Sequence, residues 1–324
     1  CAMGLVSGSS LATLCGFAAA RNELLNRAGW DVNARGLFGA PPIRVVVGAE
    51  AHSSVFKALA LLGLGKDRVE LVPVDEQGRM ITSKIPALDS NTLVILQAGN
   101  VNSRSFDPID EICNIANAAG AWVHVDGAFG LWAAASSRFE HLTKGIEKAD
   151  SWSVDGHKTL NTPYDCGIVI CKRRDALVSA MQASGSYILY SDQRDGMLYS
   201  PDMSRRGRAV EMWATLKLLG RRGVEELVDG LCDRAQQFAR LAKAEGFNIL
   251  NEVTFNQVLV VCENPEQTAG TLKNIQSSGE CWCGAGKWHD TPAIRVSVCS
   301  WATTEEDIER SIRAFVKARA DLQS

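Results

Sequence analysis

Six short apolar runs, at residues 44–47, 69–72, 93–96, 122–125, 151–154 and 167–171, recur along the first half of the chain. Segments with helical spacing, such as 53–64 and 108–119, separate them. This strand–helix alternation predicts a mainly parallel sheet flanked by helices, an α/β fold. Ahead of these runs, Ser7-Gly8-Ser9-Ser10 leads into 11–27, where Ala, Leu and Phe repeat at helical spacing. The turn is therefore expected at a helix N-terminus, whose backbone amides can hold a phosphate.

The periodicity fades between 183 and 208, where Gly, Ser, Asp, Tyr and Pro dominate, which predicts a long loop over the site. Helices are expected at 209–219, 225–245, 267–277 and from 305 onward, with strands at 258–262 and 294–298. Thr303-Thr304-Glu305-Glu306 supplies an N-cap and an acidic first turn to the last helix. The expected division is a large domain at 1–208 and a small α+β domain at 209–324.

With 324 residues, of which 46% are hydrophobic and 22% charged, the chain can bury a substantial core. A net charge of -3 and the absence of a long basic run argue against nucleic acid as a partner. Arg205-Arg206-Gly207-Arg208, the densest basic cluster, reads equally as a phosphate or carboxylate contact and as a solvated helix entry with ordinary ion pairs. No apolar stretch approaches the roughly 20 residues that cross a bilayer, so no membrane span is expected. Several of the ten cysteines, including Cys15, Cys113, Cys166 and Cys171, lie in apolar surroundings and favour a reducing cytoplasm. Cys281-Trp282-Cys283 with His289 does not have a zinc spacing, so no metal is expected. No secretory signal is recognisable, and the start at Cys1, close to the phosphate turn, leads to the expectation that upstream sequence is missing.

The chemistry concentrates in two successive units. Val123 and Val125 alternate with His124, so Asp126 falls at a parallel strand end, and Lys158 lies just beyond the next run, after His157. A lysine after a strand is by itself more often a surface charge, and an aspartate there more often a turn or cap. Together they suit pyridoxal 5'-phosphate (PLP), whose chemistry needs an aspartate that keeps the pyridine nitrogen protonated and a lysine that forms a Schiff base.

These stretches resemble the group II PLP-dependent amino acid decarboxylases, which have the aspartate aminotransferase type of fold (fold type I). Ser7-Gly8-Ser9-Ser10, Glu50-Ala51-His52-Ser53-Ser54, Gly99-Asn100-Val101-Asn102-Ser103 with Phe106-Asp107, and Arg295-Val296-Ser297 agree with the family, in its order. The resemblance implies a seven-stranded-type sheet, a smaller C-terminal domain and a homodimer, with a lost N-terminal segment that helps build the dimer and the substrate entrance. It implies Lys158, Asp126 and His52 as catalytic residues: Lys158 forms the Schiff base, Asp126 pairs with the ring nitrogen, and His52 stacks on the ring and assists proton transfer. Ser9 and Ser10 bind phosphate, Ala128 lies on the other ring face, Asn100 and His157 stand near the cofactor, and Arg295 meets a substrate carboxylate. Gly156 and Arg104 depart from the family pattern. Tyr187, Tyr190 and Tyr199 are candidate proton donors. The implied reaction converts an L-amino acid, aromatic or acidic, into an amine and CO2. An aminotransferase, a carbon–carbon lyase and an impaired PLP-binding fragment are the alternatives. A nucleotide-binding Rossmann protein is a remote one, because no Gly-x-Gly-x-x-Gly follows the first strand.

Overall fold

The computed structural model describes residues 1–183, 188 and 193–322. The first part of the chain runs β1 (Ala2–Val6), α1 (Ser9–Arg27), α2 (Val32–Arg35), β2 (Arg44–Gly48), α3 (Ser53–Leu61), β3 (Glu70–Val72), β4 (Thr92–Gln97), α4 (Ile109–Ala118), β5 (Trp122–Asp126), β6 (Ser151–Asp155), β7 (Gly167–Cys171) and α5 (Arg174–Met181). Its seven strands form one sheet in the order β1-β7-β6-β5-β4-β2-β3. β3, β2, β4, β5 and β6 are parallel, and β7 runs antiparallel to both of its neighbours, β6 and β1.

The apolar runs explain this sheet. Every residue of β4, β5 and β6 is buried. Side chains alternate between faces along a strand. Leu93 and Ile95 of β4 therefore pack with α1 and α3, whereas Val94 and Leu96 pack with α4 on the opposite side. A strand covered on both faces reads as a continuous apolar run, as residues 93–96 of β4 do, whereas β3 at the sheet edge leaves Leu71 exposed. β1 is an addition to the six expected strands. Its short sequence carries a glycine, and its partner β7 lies more than 160 residues away.

The rest of the chain runs α6 (Ala209–Ala244), β8 (Asn248–Ile249), β9 (Gln257–Val261), α7 (Pro265–Ser278), β10 (Gly284–Trp288), β11 (Thr291–Ser297) and α8 (Glu305–Ala320). Its four strands make an antiparallel sheet, ordered β10-β11-β9-β8, whose core includes Phe238 of α6, Ile275 of α7 and Phe315 of α8. The two helices expected at 209–219 and 225–245 run on as one element, broken where Gly220 takes φ 61° and ψ -173°. Thr304 and Asp307 cap α8 reciprocally, as its acidic first turn suggested.

The small sheet reaches back to the large one. Gln257 Nε2 donates to the Val101 carbonyl at 2.6 Å, Asn251 Nδ2 to Ser103 at 3.0 Å, and Asn161 Nδ2 to Cys299 at 2.6 Å. These bonds fix the loop after β4 and the loop after β6, which both border the site described next.

Within the basic cluster, Arg206 and Arg208 pair with the two oxygens of Asp165 at 2.8 Å each, and Arg206 also pairs with Glu211. The ordinary ion-pair reading holds for these two residues.

Candidate active site

In a parallel sheet, ligands bind beyond the carboxyl ends of the strands. Here β4, β5 and β6 end in Gln97, Asp126 and Asp155, side by side. Lys158 follows β6 after a short turn, and α1 starts at the same edge with Ser9.

Two spaces meet there. The outer one, about 490 Å³, lies at the N-terminus of α1 and is lined by Ser9, Ser10, Lys57, Asp155, His157 and Lys158. The inner one is a slot of about 40 Å³ lined by His52, Arg104, Asp126, Ala128, Phe129 and Lys158. Ser9 and Lys158 border both spaces, so the lysine forms a wall between them.

Asp126 is 7% exposed, and its Oδ1 accepts from the Ala128 amide at 3.2 Å. Burial pushes its pKa up, against the pull of Lys158 and His52. His52 is the N-cap of α3. Its Nδ1 accepts from the Ser54 amide at 3.2 Å, so in the neutral ring the proton sits on Nε2. Burial lowers the pKa of this ring. His157 has the same tautomer for a similar reason: its Nδ1 accepts from the Cys166 amide at 3.0 Å. Its Nε2 stands 3.5 Å from Asp155 Oδ1, and its ring stacks on Tyr164.

Lys158 Nζ lies 2.8 Å from Asp155 Oδ2, 3.5 Å from Ser9 Oγ and 4.7 Å from the centre of the Phe129 ring. Asp155 is 1% exposed, and its Oδ1 accepts from the Ser9 amide at 2.5 Å. The sequence reading gave Asp155 no role. Its position at a strand end, three residues before the lysine, was the available signal. Phe129 was also passed over, although it directly follows Ala128.

Asn100 lies between two residues that line the slot, Gly99 and Val101. Its Nδ2 donates to the Glu50 carbonyl at 3.0 Å, and its Oδ1 accepts from the Asn102 and Ser103 amides. Its amide therefore shapes the loop and does not line the slot. Arg295 is likewise outside the slot: its Nη1 donates to the Val101 carbonyl at 3.2 Å, behind the residue that faces inward. Tyr199 is tucked against β1 at Gly4, with its hydroxyl accepting from Arg174 Nε at 3.1 Å, and lines neither of the spaces bordered by Lys158. Tyr187 and Tyr190 lie outside the described residues.

Both departures from the family pattern have a physical setting. A side chain at 156 would bring Cβ within 2.4 Å of Met212 and 3.0 Å of Thr162 Oγ1, so glycine fits the packing there. Arg104, fully buried at φ 59°, stacks its guanidinium 3.6 Å over Phe129 and donates from Nη1 to the Asn100 carbonyl at 3.2 Å. Burial pushes its pKa down to about 9, and its Nε has no partner among the described residues.

The residues present fit PLP. Hydroxyls and a helix N-terminus face the outer space and suit a phosphate. The carboxylate of Asp126 and the imidazole of His52 face the slot and suit a protonated pyridine ring. The lysine stands between them, where an aldehyde would lie. In this side-chain arrangement the slot holds only a few waters, and Lys158 stands at its border.

Residues 3–262 match the family model described as the pyridoxal-dependent decarboxylase conserved domain. The chain is 32% identical to the aromatic-L-amino-acid decarboxylase of Drosophila lebanonensis over 286 residues, covering 84% of this chain and 70% of the relative. It is 30% identical to the acidic amino acid decarboxylase GADL1 of Mus musculus, covering 85% of this chain and 51% of the relative, so it spans about half of that protein. The structure of Oryza sativa TDC with PLP and tryptamine superimposes with a TM-score of 0.90 at 20% identity, covering 99% of this chain and 71% of that one, which shows the shared fold. With a mainly parallel seven-stranded sheet, that fold is the α/β fold type I expected from the sequence. On the family match and the relatives' identity, the chain belongs to the pyridoxal-dependent decarboxylase family.

Proposed function

We propose that this chain removes CO2 from an L-amino acid, with Lys158, Asp126 and His52 as its catalytic residues. The observation that carries the proposal is the placement of Lys158 between an anion-suited cavity at α1 and a buried slot holding Asp126 and His52. When bound, PLP supplies a sink for the electron pair that a departing carboxylate leaves on the α-carbon. The chain's own residues do the rest. Ser9 and Ser10 orient the phosphate through their hydroxyls, and Lys158 Nζ holds the cofactor. Asp126 keeps a proton on the ring nitrogen, where the positive charge of the ring offsets the effect of burial on its carboxylate. His52 and Ala128, which line the slot, would hold the ring, and the Nε2 proton of His52 would be available for transfer.

Arg295 has no carboxylate partner among the described residues and is proposed to meet one on the substrate, which we take to be an aromatic or acidic L-amino acid. A homodimer is part of the proposal, supported by Val210, Trp213, Leu216 and Leu218, which are exposed on the first part of α6. So is a cytoplasmic setting, supported by ten free cysteines.

The test is a visible spectrum of the protein with added PLP, for wild type and Lys158→Ala, followed by CO2 detection across L-amino acids. A cofactor band lost in the variant, with CO2 released by wild type, supports the reading. A band without CO2 replaces decarboxylation by another PLP reaction, and no band refutes the cofactor assignment.

A further inference from the structure

A phosphate seated at Ser9 and Ser10 lies beside a buried carboxylate. Asp155 lines the same cavity, with Oδ1 on the first amide of α1 and Oδ2 on the Lys158 ammonium. Two negative charges side by side, one of them on a carboxylate that is 1% exposed, repel. Among the described residues, three polar groups stand within 3.5 Å of the Asp155 carboxylate. The Ser9 amide does not ionise. His157, its Nδ1 held by the Cys166 amide, presents only the Nε2 proton of a neutral ring. The remaining neighbour is Lys158, whose ammonium proton is one hydrogen bond away, at 2.8 Å. Lys57, the other lysine on the cavity, is exposed and makes no ion pair among the described residues, so it does not neutralise Asp155.

We infer that Asp155 is a positioning residue that couples phosphate seating to the activation of Lys158, an inference that rests on the proposed placement of the cofactor phosphate at Ser9 and Ser10. Arrival of the anion moves one proton from Lys158 Nζ to Asp155 Oδ2. That leaves a neutral acid beside the phosphate and a neutral amine with a free lone pair. The lone pair then forms the bond to the aldehyde carbon, and the two hydrogens left on nitrogen depart with the aldehyde oxygen as water. Before a phosphate arrives, the lysine stays parked as an ion pair. Without this transfer the sign reverses: a nearby dianion stabilises the ammonium and slows the condensation.

That difference in sign is the test. The cofactor-free chain is mixed with pyridoxal, which lacks the phosphate, in the presence of inorganic phosphate or of chloride at equal ionic strength. Attachment is followed by absorbance, then by borohydride trapping and mass analysis of the Lys158 peptide. Phosphate is expected to accelerate attachment in wild type severalfold, because the neutral amine is the attacking species. The acceleration is expected to persist in Asp155→Glu and to vanish in Asp155→Asn, which cannot take the proton. Phosphate that slows or does not change the wild-type rate overturns the inference, whatever the variants do. Equal acceleration in Asp155→Asn also overturns it. Failure of pyridoxal to attach to Lys158 under any condition refutes the cofactor placement itself, a different result from attachment without a phosphate response.

Discussion

His124 sits in the core between α1 and the sheet, with its Nδ1 2.8 Å from Ser151 Oγ and its ring edge-on to Phe17. Burial pushes its pKa from 6.5 down to about 3. The unfolded chain therefore takes up a proton before the folded one does. Neutral His124 contributes stability above pH 6.5, and that contribution is lost as pH falls toward 3, by about 1.4 kcal/mol per unit at most. Asp107 works in the opposite direction, because burial raises its pKa to about 6, so its contribution is present below pH 3.8 and lost as pH rises through 6. Urea unfolding of wild type and His124→Asn between pH 4 and 7 separates the two: the variant is expected to lose the part of the acid-side fall that belongs to the imidazole. At this scale the site was half legible. Asp126 and Lys158 showed through because strand ends are readable from alternation. Asp155 also stands at a strand end, but its partnership with Lys158 depends on how the turn after β6 folds back. The bonds of Asn100 were not legible either, because a short amide in a loop can satisfy the nearby backbone, as it does here with Glu50, Asn102 and Ser103.

At the level of elements, α6 turns on one residue. Gly220 adopts a backbone conformation that L side chains rarely enter, and a Cβ there would meet nothing within 4 Å. Gly220→Ala is thus expected to cost about 1–3 kcal/mol through the backbone alone, read as a lower urea midpoint with an unchanged circular dichroism spectrum. A variant as stable as wild type would contradict it. The central strands were legible because they are apolar on both faces. β10 was not, since Gly284, Gly286 and Lys287 give it little apolar signal. Its hairpin to β11 turns on His289 at φ 43° and Asp290 at φ 67°. Those angles suit the two-residue turns that usually announce themselves as Asn-Gly, and nothing in a His-Asp pair does so.

For the whole molecule, Trp213 and Leu218 are 65% and 85% exposed on the same helix, an apolar surface a soluble chain normally covers. Sedimentation at micromolar concentration is expected to show a dimer, and Trp213→Glu combined with Leu218→Glu a monomer. A monomeric wild type would refute the proposed assembly. The class of fold was readable because each layer repeats one pattern many times. The contacts that tie the small sheet to the loop at 99–107 were not, because they join single residues far apart in sequence, such as Gln257 and Val101. That loop is clamped from both sides: Asp107 accepts from the Met80 and Gln97 amides at 2.7 Å each, while Asn100 and Asn251 bond its backbone. A loop held so firmly by its own frame keeps Arg104 at φ 59° against Phe129, so this wall of the slot is built from the far ends of the chain before any ligand enters.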